Sequence, residues 1–198
     1  NKNINWILKV HPVNIWRSKM DNAKLENLEV LSICKELGGI PENLQIIDSD
    51  TEINTLSFIE FIDYGITVRG TVGLELSSFG KVVVTAGSGR YDGNGFTLDP
   101  QSKEEYKKIL MNLHNYKPLS KRKKERAQKF FEICYEKRPI IFKNFQIDYK
   151  ARSFGVDDLK YNLKFSRKNK TDFYNCYNTK NFTEWVINNS QKDILKIE

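Results

Sequence analysis

Residues 68–84 read VRGTVGLELSSFGKVVV, which predicts a strand, a tight turn, a helix, a second turn and another strand. Gly70 and Thr71 fall where the helix begins, so backbone N–H groups and a hydroxyl converge there. The positive end of the helix dipole lies at the same point and favours a phosphate group. Glu75 follows about one turn later, within reach of whatever the phosphate carries. The stretch therefore predicts a nucleotide-sugar site.

Further elements on both sides continue the alternation of strands and helices. We predict strands over 6–10, 44–47, 66–68 and 82–86, and helices over 55–61, 71–79 and 103–114. Another helix is capped by Asp21, carries leucines at helical spacing and ends at Gly38-Gly39. Strands separated by helices of this length indicate βαβ units. The predicted fold class is therefore α/β, with a parallel sheet flanked by helices and strand ends that share one ligand-binding edge.

The charge of the chain is unevenly distributed, although its total is only +7. Residues 1–100 hold 9 Lys/Arg against 13 Asp/Glu, a net of −4, and residues 101–198 hold 23 against 12, a net of +11. We predict a nucleotide-sugar-binding domain over 1–118 and a basic, helical and irregular C-terminal extension over 119–198. The extension holds a basic helix over 120–136 and a short helix over 181–189, and no structure is assigned to 139–180.

The composition excludes several classes of protein. No apolar run approaches the ~18 residues of a membrane helix, and no signal peptide is recognisable. The three cysteines are widely spaced and read as reduced thiols. We therefore expect a cytoplasmic protein. Two interpretations of its basic half stay open. It is either a solvated surface, or a face that binds anionic lipid or an anionic glycan; binding of lipid would place the protein peripherally at the inner face of the cytoplasmic membrane. A nucleic-acid partner is not expected, because no recognised motif accompanies the charge.

His11-Pro12 follows the first predicted strand directly. Proline restrains the backbone, so it can hold the preceding imidazole at the edge of the sheet, where it can donate to a phosphate oxygen or a leaving group. A purely structural turn is the alternative. The second histidine, His114, falls late on an amphipathic helix and is interpreted as a surface or core residue.

Residues 87–97 form a predicted glycine-rich loop at the same edge. The loop could close over a donor sugar, with Tyr91 and Phe96 as stacking surfaces, or it could be an ordinary mobile loop. It lacks the lysine and spacing of a P-loop. Asp48-Ser49-Asp50 matches the pattern of a metal-binding Asp-x-Asp motif, but we interpret it as a turn.

These segments occur together in the order found in one known family. The residues are KVHP at 9–12, NTL at 54–56, Asp63, VRGTVGLE at 68–75, GKVVV at 80–84, Tyr91 and GFT at 95–97. The chain over about 5–115 resembles the C-terminal half of the bacterial capsule polysaccharide biosynthesis glycosyltransferases. That resemblance implies one Rossmann-like half of a GT-B-type fold and transfer of a sugar from a nucleotide-activated donor to a glycan or lipid-linked acceptor.

The resemblance also implies a set of site residues. Donor phosphates would be contacted by the His-Pro pair and the Gly-Thr turn, His11 would be the catalytic residue, and Glu75 would hold the ribose. The predicted donor-binding set is His11, Pro12, Arg69, Gly70, Thr71, Gly73, Glu75, Tyr91 and Thr97. No metal and no cofactor is implied, because the helix dipole and side chains would stabilise the leaving nucleotide.

One departure from the family concerns the rest of the enzyme. A GT-B enzyme needs two such domains, so we expect the chain to be a fragment that binds nucleotide without turnover. Two alternatives stay open. A polyol-phosphate transferase of the teichoic-acid type carries a similar Lys-x-His-Pro segment, although Gly70-Thr71-Val72-Gly73 fits it less well. A non-catalytic nucleotide-binding or interaction module is the other.

Overall fold

The computed structural model describes residues 1–11, 28–49, 51–142, 144–148, 162–165 and 169–188. The chain divides into two compact units, residues 1–129 and 130–198. That division falls inside a helix that begins at Lys121. The sequence instead predicts a domain boundary between residues 118 and 119. The extents of the functional domains stay a prediction.

The first unit alternates strands and helices as the sequence predicts, except that the predicted helix over 55–61 is a 3-10 turn. Its strands are β1 (Trp6–Lys9), β2 (Leu44–Ile47), β3 (Tyr64–Thr67) and β4 (Val82–Thr85). Its helices are α1 (Leu28–Leu37), α2 (Val72–Ser78), α3 (Lys103–Met111) and most of α4 (Lys121–Glu132), with 3-10 turns at Thr55–Phe58 and Leu113–Asn115. A π-helical turn at Ile133–Lys137 follows α4 and belongs to the second unit. The predicted Asp21 cap lies outside the described residues, but the helix does end at Gly38, which has φ +72°.

The described strands of this unit are parallel, but they are hydrogen-bonded in two separate pairs rather than in one sheet. β1 pairs with β2, Trp6 lying opposite Leu44, and β3 pairs with β4, Tyr64 lying opposite Val82. Leu98 adds an isolated parallel bridge to β4 at Val84. The structure therefore shows a mixed α/β fold with small parallel sheets flanked by helices.

Strand β4 is the centre of the core. All four of its residues are buried, as expected for a parallel strand covered on both faces. Val83 packs with Leu76 of α2 and Ile59, whereas Val84 packs with Ile109 of α3 and Leu113. β4 therefore lies between α2 and α3.

Trp6 and Tyr64 are the first residues of β1 and β3, and both pack against the cluster that contains Val84. Both strand pairs therefore contribute to one core.

The second unit holds β5 (Phe145–Asp148), β6 (Asn162–Phe165), α5 (Lys170–Tyr174) and α6 (Tyr177–Asn188). β5 and β6 are antiparallel, so part of the segment to which the sequence assigned no structure forms strands. The buried Asn144 donates through Nδ2 to the Thr179 hydroxyl at 2.7 Å. α6 begins four residues earlier than the predicted 181–189 helix, and the Cys176 carbonyl just before it accepts the Lys180 amide at 2.9 Å.

Within the described ranges, no helix is long and apolar enough to cross a membrane.

Candidate functional site

The candidate site lies where β3 and β4 end. β3 ends at Thr67, residues 68–71 form a turn, and α2 begins at Val72. The Thr67 hydroxyl accepts the Gly70 amide at 3.0 Å, and its carbonyl accepts the Ala86 amide at 2.9 Å. Because the two strands are parallel and paired, the turn after β3 and the loop after β4 lie together at the carboxyl edge, the usual ligand-binding edge of α/β proteins.

The start of α2 leaves two backbone donors unused. The Gly73 amide donates to the Gly70 carbonyl at 3.2 Å, and the Leu74 and Glu75 amides donate to the Thr71 carbonyl at 3.0 and 3.1 Å. Within the described part of the chain, the Thr71 and Val72 amides have no acceptor. The Gly70 amide, which the sequence assigned to phosphate, is already bonded to the Thr67 hydroxyl.

Thr71 occupies the N-cap position of α2, as the sequence predicts. Its backbone is already helical, with φ −58° and ψ −27°, and its hydroxyl makes no capping bond. Thr71 is exposed. The hydroxyl is therefore not consumed by the helix and is accessible beside the two unused amides.

Tyr91 supports the turn from inside the protein. Its side chain is only 3% exposed, and its hydroxyl donates to the Gly70 carbonyl at 2.7 Å. A Cβ on Gly73 would lie 2.0 Å from that hydroxyl, so only glycine fits there. Tyr91 is also stacked on the buried Phe96, with ring centroids 6.3 Å apart. This burial leaves neither ring a face for a sugar, so we assign Tyr91 to the turn rather than to stacking on the donor.

The loop after β4 is connected to the turn by an arginine. Arg69 donates through Nε to the Ser88 carbonyl at 3.0 Å, while its exposed terminal nitrogens have no acceptor among the described residues. A cation is therefore held two residues from the Thr71 amide and three residues from the Val72 amide. Thr97, another predicted donor contact, is 9% exposed, and its buried hydroxyl has no hydrogen-bond partner among the residues that the structure describes.

Two aspartates order the loop, and the sequence analysis did not identify them. Asp92 accepts the Gly89 amide at 2.9 Å. Asp99 accepts the Gly93 amide at 2.8 Å through one oxygen and the Thr85 hydroxyl at 2.9 Å through the other. In the sequence, each aspartate lies a few residues from a glycine, and this spacing is typical of turns that a side chain stabilises. The loop is thus tied to the end of β4.

Glu75 lies in the first turn of α2 and is half-buried. Its carboxylate accepts no hydrogen bond and forms no ion pair within the described residues. The carboxylate is therefore available for the hydroxyl groups of a ligand.

His11 lies just beyond β1 and is exposed. The preceding Val10 amide still donates to the Ile47 carbonyl at 2.9 Å, which fixes the chain up to that point. Pro12 lies outside the described residues. His11 thus follows the β1–β2 pair, whereas the turn follows the β3–β4 pair. His114, by contrast, is exposed within a 3-10 turn.

Other titratable groups add little to the site. Burial raises the pKa of the Tyr106 hydroxyl above its ordinary value of 10.0, but Tyr106 belongs to α3 and packs against the core cluster that contains Val84. Among the described side chains, no three of His, Cys, Asp or Glu come together as a set of metal ligands.

Comparison of the chain with family models, curated proteins and solved structures finds no match. The assignment of a function therefore depends on the geometry of the site and on the residues that form it.

Proposed function

We propose that the chain is the donor-binding part of a nucleotide-sugar-dependent glycosyltransferase of bacterial capsule or surface-polysaccharide biosynthesis. The observation that supports this most is the convergence of free donors at the β3–α2 turn. Two backbone amides, the Thr71 hydroxyl and the terminal nitrogens of Arg69 are available at the carboxyl edge of a parallel strand pair.

Such a set of donors suits a phosphate oxygen. Backbone N–H groups at a helix start and a nearby guanidinium bind phosphate through charge-assisted hydrogen bonds. α2 has only seven residues, so we assign more of the attraction to Arg69 than to the helix dipole. In this proposal the donor phosphates occupy the space beside Thr71 and Val72.

Glu75 and His11 complete the donor site. Glu75 has a free carboxylate about one turn into α2, where it accepts hydrogen bonds from the ribose hydroxyls. The predicted contact of Thr97 with the donor is not part of this proposal, because its hydroxyl is buried. The His11 imidazole donates to a phosphate oxygen from the end of β1, and Pro12 restrains the backbone that follows it.

The reaction places the developing charge at this turn. The oxygen of a glycan or lipid-linked acceptor attacks the anomeric carbon of the donor sugar, and the bond from that carbon to the phosphate oxygen breaks. The departing nucleotide carries the bonding electrons as negative charge, which the amides, Arg69 and His11 stabilise without a metal ion. A base outside the described site takes the proton of the acceptor.

Backbone amide chemical shifts provide a specific test of the phosphate position. Titration of the ¹⁵N-labelled chain with a nucleoside diphosphate should move the Thr71 and Val72 resonances most. The Gly70 resonance should move less, because its amide is bonded to the Thr67 hydroxyl.

Arg69→Gln should weaken binding, whereas Arg90→Gln, which removes an exposed arginine from the neighbouring loop after β4, should leave binding unchanged. Saturable chemical-shift changes confined to another surface would refute the proposal. Equal losses of affinity in the two arginine variants would also refute it.

A further inference from the structure

The Gly70 carbonyl is held by two donors that come from different parts of the first unit. The Gly73 amide donates to it at 3.2 Å from within α2, and the Tyr91 hydroxyl donates to it at 2.7 Å from the loop after β4. The Gly70 amide is bonded as well, to the Thr67 hydroxyl at 3.0 Å. The peptide groups on both sides of Gly70 are therefore fixed in direction.

The direction of the Gly70 carbonyl sets the direction of the next amide. A peptide bond is planar and trans, so the carbonyl of Gly70 and the N–H of Thr71 lie in one plane and point opposite ways. Tyr91 is 3% exposed and holds the carbonyl from the interior, whereas Thr71 is exposed. The Thr71 N–H therefore points away from the interior, and it has no acceptor among the described residues.

Tyr91 is itself anchored, so its hydroxyl holds a fixed position. Its ring stacks on Phe96, which is 1% exposed, and its backbone carbonyl accepts from Asn94 Nδ2 at 3.0 Å. Gly73 leaves room for the hydroxyl, since a Cβ there would lie 2.0 Å from it. Gly73, which the sequence assigned to the donor site, thus acts through Tyr91 by admitting its hydroxyl to the Gly70 carbonyl.

We propose that Tyr91 is a positioning residue of the donor site: through the Gly70 carbonyl, its hydroxyl directs the Thr71 amide of the turn towards a donor phosphate. This inference rests on the proposed function and adds a residue that acts without touching the donor. An N–H in this direction donates to a phosphate oxygen, whereas a carbonyl turned the same way would repel its negative charge. Because Tyr91 comes from the loop after β4, its bond fixes the turn relative to that loop as well as to α2.

Tyr91→Phe tests the proposal, because it removes the hydroxyl and keeps the ring that stacks on Phe96. Affinity for the tightest binder among CMP, CDP, UDP and GDP should fall about fivefold, which corresponds to the loss of one hydrogen bond.

Tyr64→Phe is the matched control. The Tyr64 hydroxyl donates to the Tyr116 carbonyl at 3.1 Å, and Tyr64 is the first residue of β3, at the opposite end of the strand from the turn. This variant also loses one hydrogen bond from a tyrosine to a backbone carbonyl. It should lower the urea midpoint comparably to Tyr91→Phe and leave nucleotide affinity unchanged.

NMR spectra of the chain without nucleotide provide a readout that general destabilisation does not move. In Tyr91→Phe the Gly70 carbonyl ¹³C resonance should shift, because the carbonyl loses a donor. The residual dipolar coupling of the Thr71 N–H should change, because the peptide plane turns. The couplings of Val83 and Val84 in β4 should stay constant, and Tyr64→Phe should leave the Thr71 coupling unchanged.

Three results would overturn the proposal. Unchanged nucleotide affinity in Tyr91→Phe would remove the hydroxyl from the donor site. Equal losses of affinity in Tyr91→Phe and Tyr64→Phe would reduce it to a contribution to stability. An unchanged Thr71 coupling would show that the hydroxyl does not set the direction of the amide. Failure of the proposed function is a separate result, in which the unaltered chain binds none of the four nucleotides; the Thr71 coupling still decides whether Tyr91 orients the amide.

Discussion

Gly73→Ala should destabilise the first unit, although Ala is the better helix former. Gly73 lies inside α2 and has no positive φ, so an open helix site would gain about 1 kcal/mol from alanine. The new Cβ, however, would lie 2.0 Å from the Tyr91 hydroxyl and 2.9 Å from Thr67 Cγ2. The ring must therefore move, and the Tyr91 bond to the Gly70 carbonyl must break.

The magnitude follows from these opposing terms. Inserting a methyl group into this packed space costs about 1–3 kcal/mol. Loss of the Tyr91–Gly70 hydrogen bond adds about 1 kcal/mol. After the gain in helix propensity, the free energy of unfolding should fall by about 1–3 kcal/mol.

Urea unfolding in a Trp185→Phe background measures this change, because the remaining tryptophans then belong to residues 1–129. Tyr91→Phe provides the partner variant, since it removes the atom that lies 2.0 Å from the added Cβ. Tyr91→Phe alone should cost about 1 kcal/mol through the lost hydrogen bond.

The double variant decides whether the close approach is the cause. Its loss in free energy of unfolding should be smaller than the sum of the losses in the two single variants by about 1 kcal/mol or more. A stabilised Gly73→Ala variant, or effects that add within about 0.3 kcal/mol, would refute the reasoning.

Three further predictions concern single side chains. His11→Ala should weaken nucleotide binding and leave the urea midpoint unchanged, because His11 is exposed; unchanged affinity in calorimetry would remove it from the site. Glu75→Gln should weaken ribonucleotides far more than inorganic phosphate, and equal losses in competition assays would argue against the ribose contact. Burial raises the pKa of Tyr106 above 10.0, so its contribution to stability is complete below pH 10 and is lost as the pH rises through the raised value. In Tyr106→Phe, the free energy of unfolding from urea titrations should therefore fall less steeply with pH above pH 10. An unchanged slope against pH would contradict the burial effect.

Local structure was predictable from the sequence where its signals were local. The VVVT run identified β4, and Gly70-Thr71 identified the start of α2. Ser102 and Glu105 have the spacing of a capping box at the start of α3, and the Ser102 hydroxyl accepts the Glu105 amide at 3.1 Å. Such features depend on residues only a few positions apart, so the chain itself specifies them.

Features that depend on distant residues were not predictable. The pairing of the strands in two separate sheets involves contacts between residues 38 positions apart, Trp6 with Leu44, and 18 positions apart, Tyr64 with Val82. The burial of Tyr91 against Gly73 likewise depends on tertiary packing, so a residue predicted to stack on a sugar is found supporting the turn. Periodicity carries no information about such contacts.

The central claim is that the β3–α2 turn binds the phosphates of a nucleotide donor. Calorimetric titration of the chain with CMP, CDP, UDP and GDP, without added metal, tests it most directly. Selective binding of one nucleotide, weakened about tenfold by Arg69→Gln but not by Arg90→Gln, is the predicted result. CDP as the preferred ligand would favour transfer of a polyol phosphate. Binding of no nucleotide, or binding that Arg69→Gln leaves unchanged, would contradict the claim.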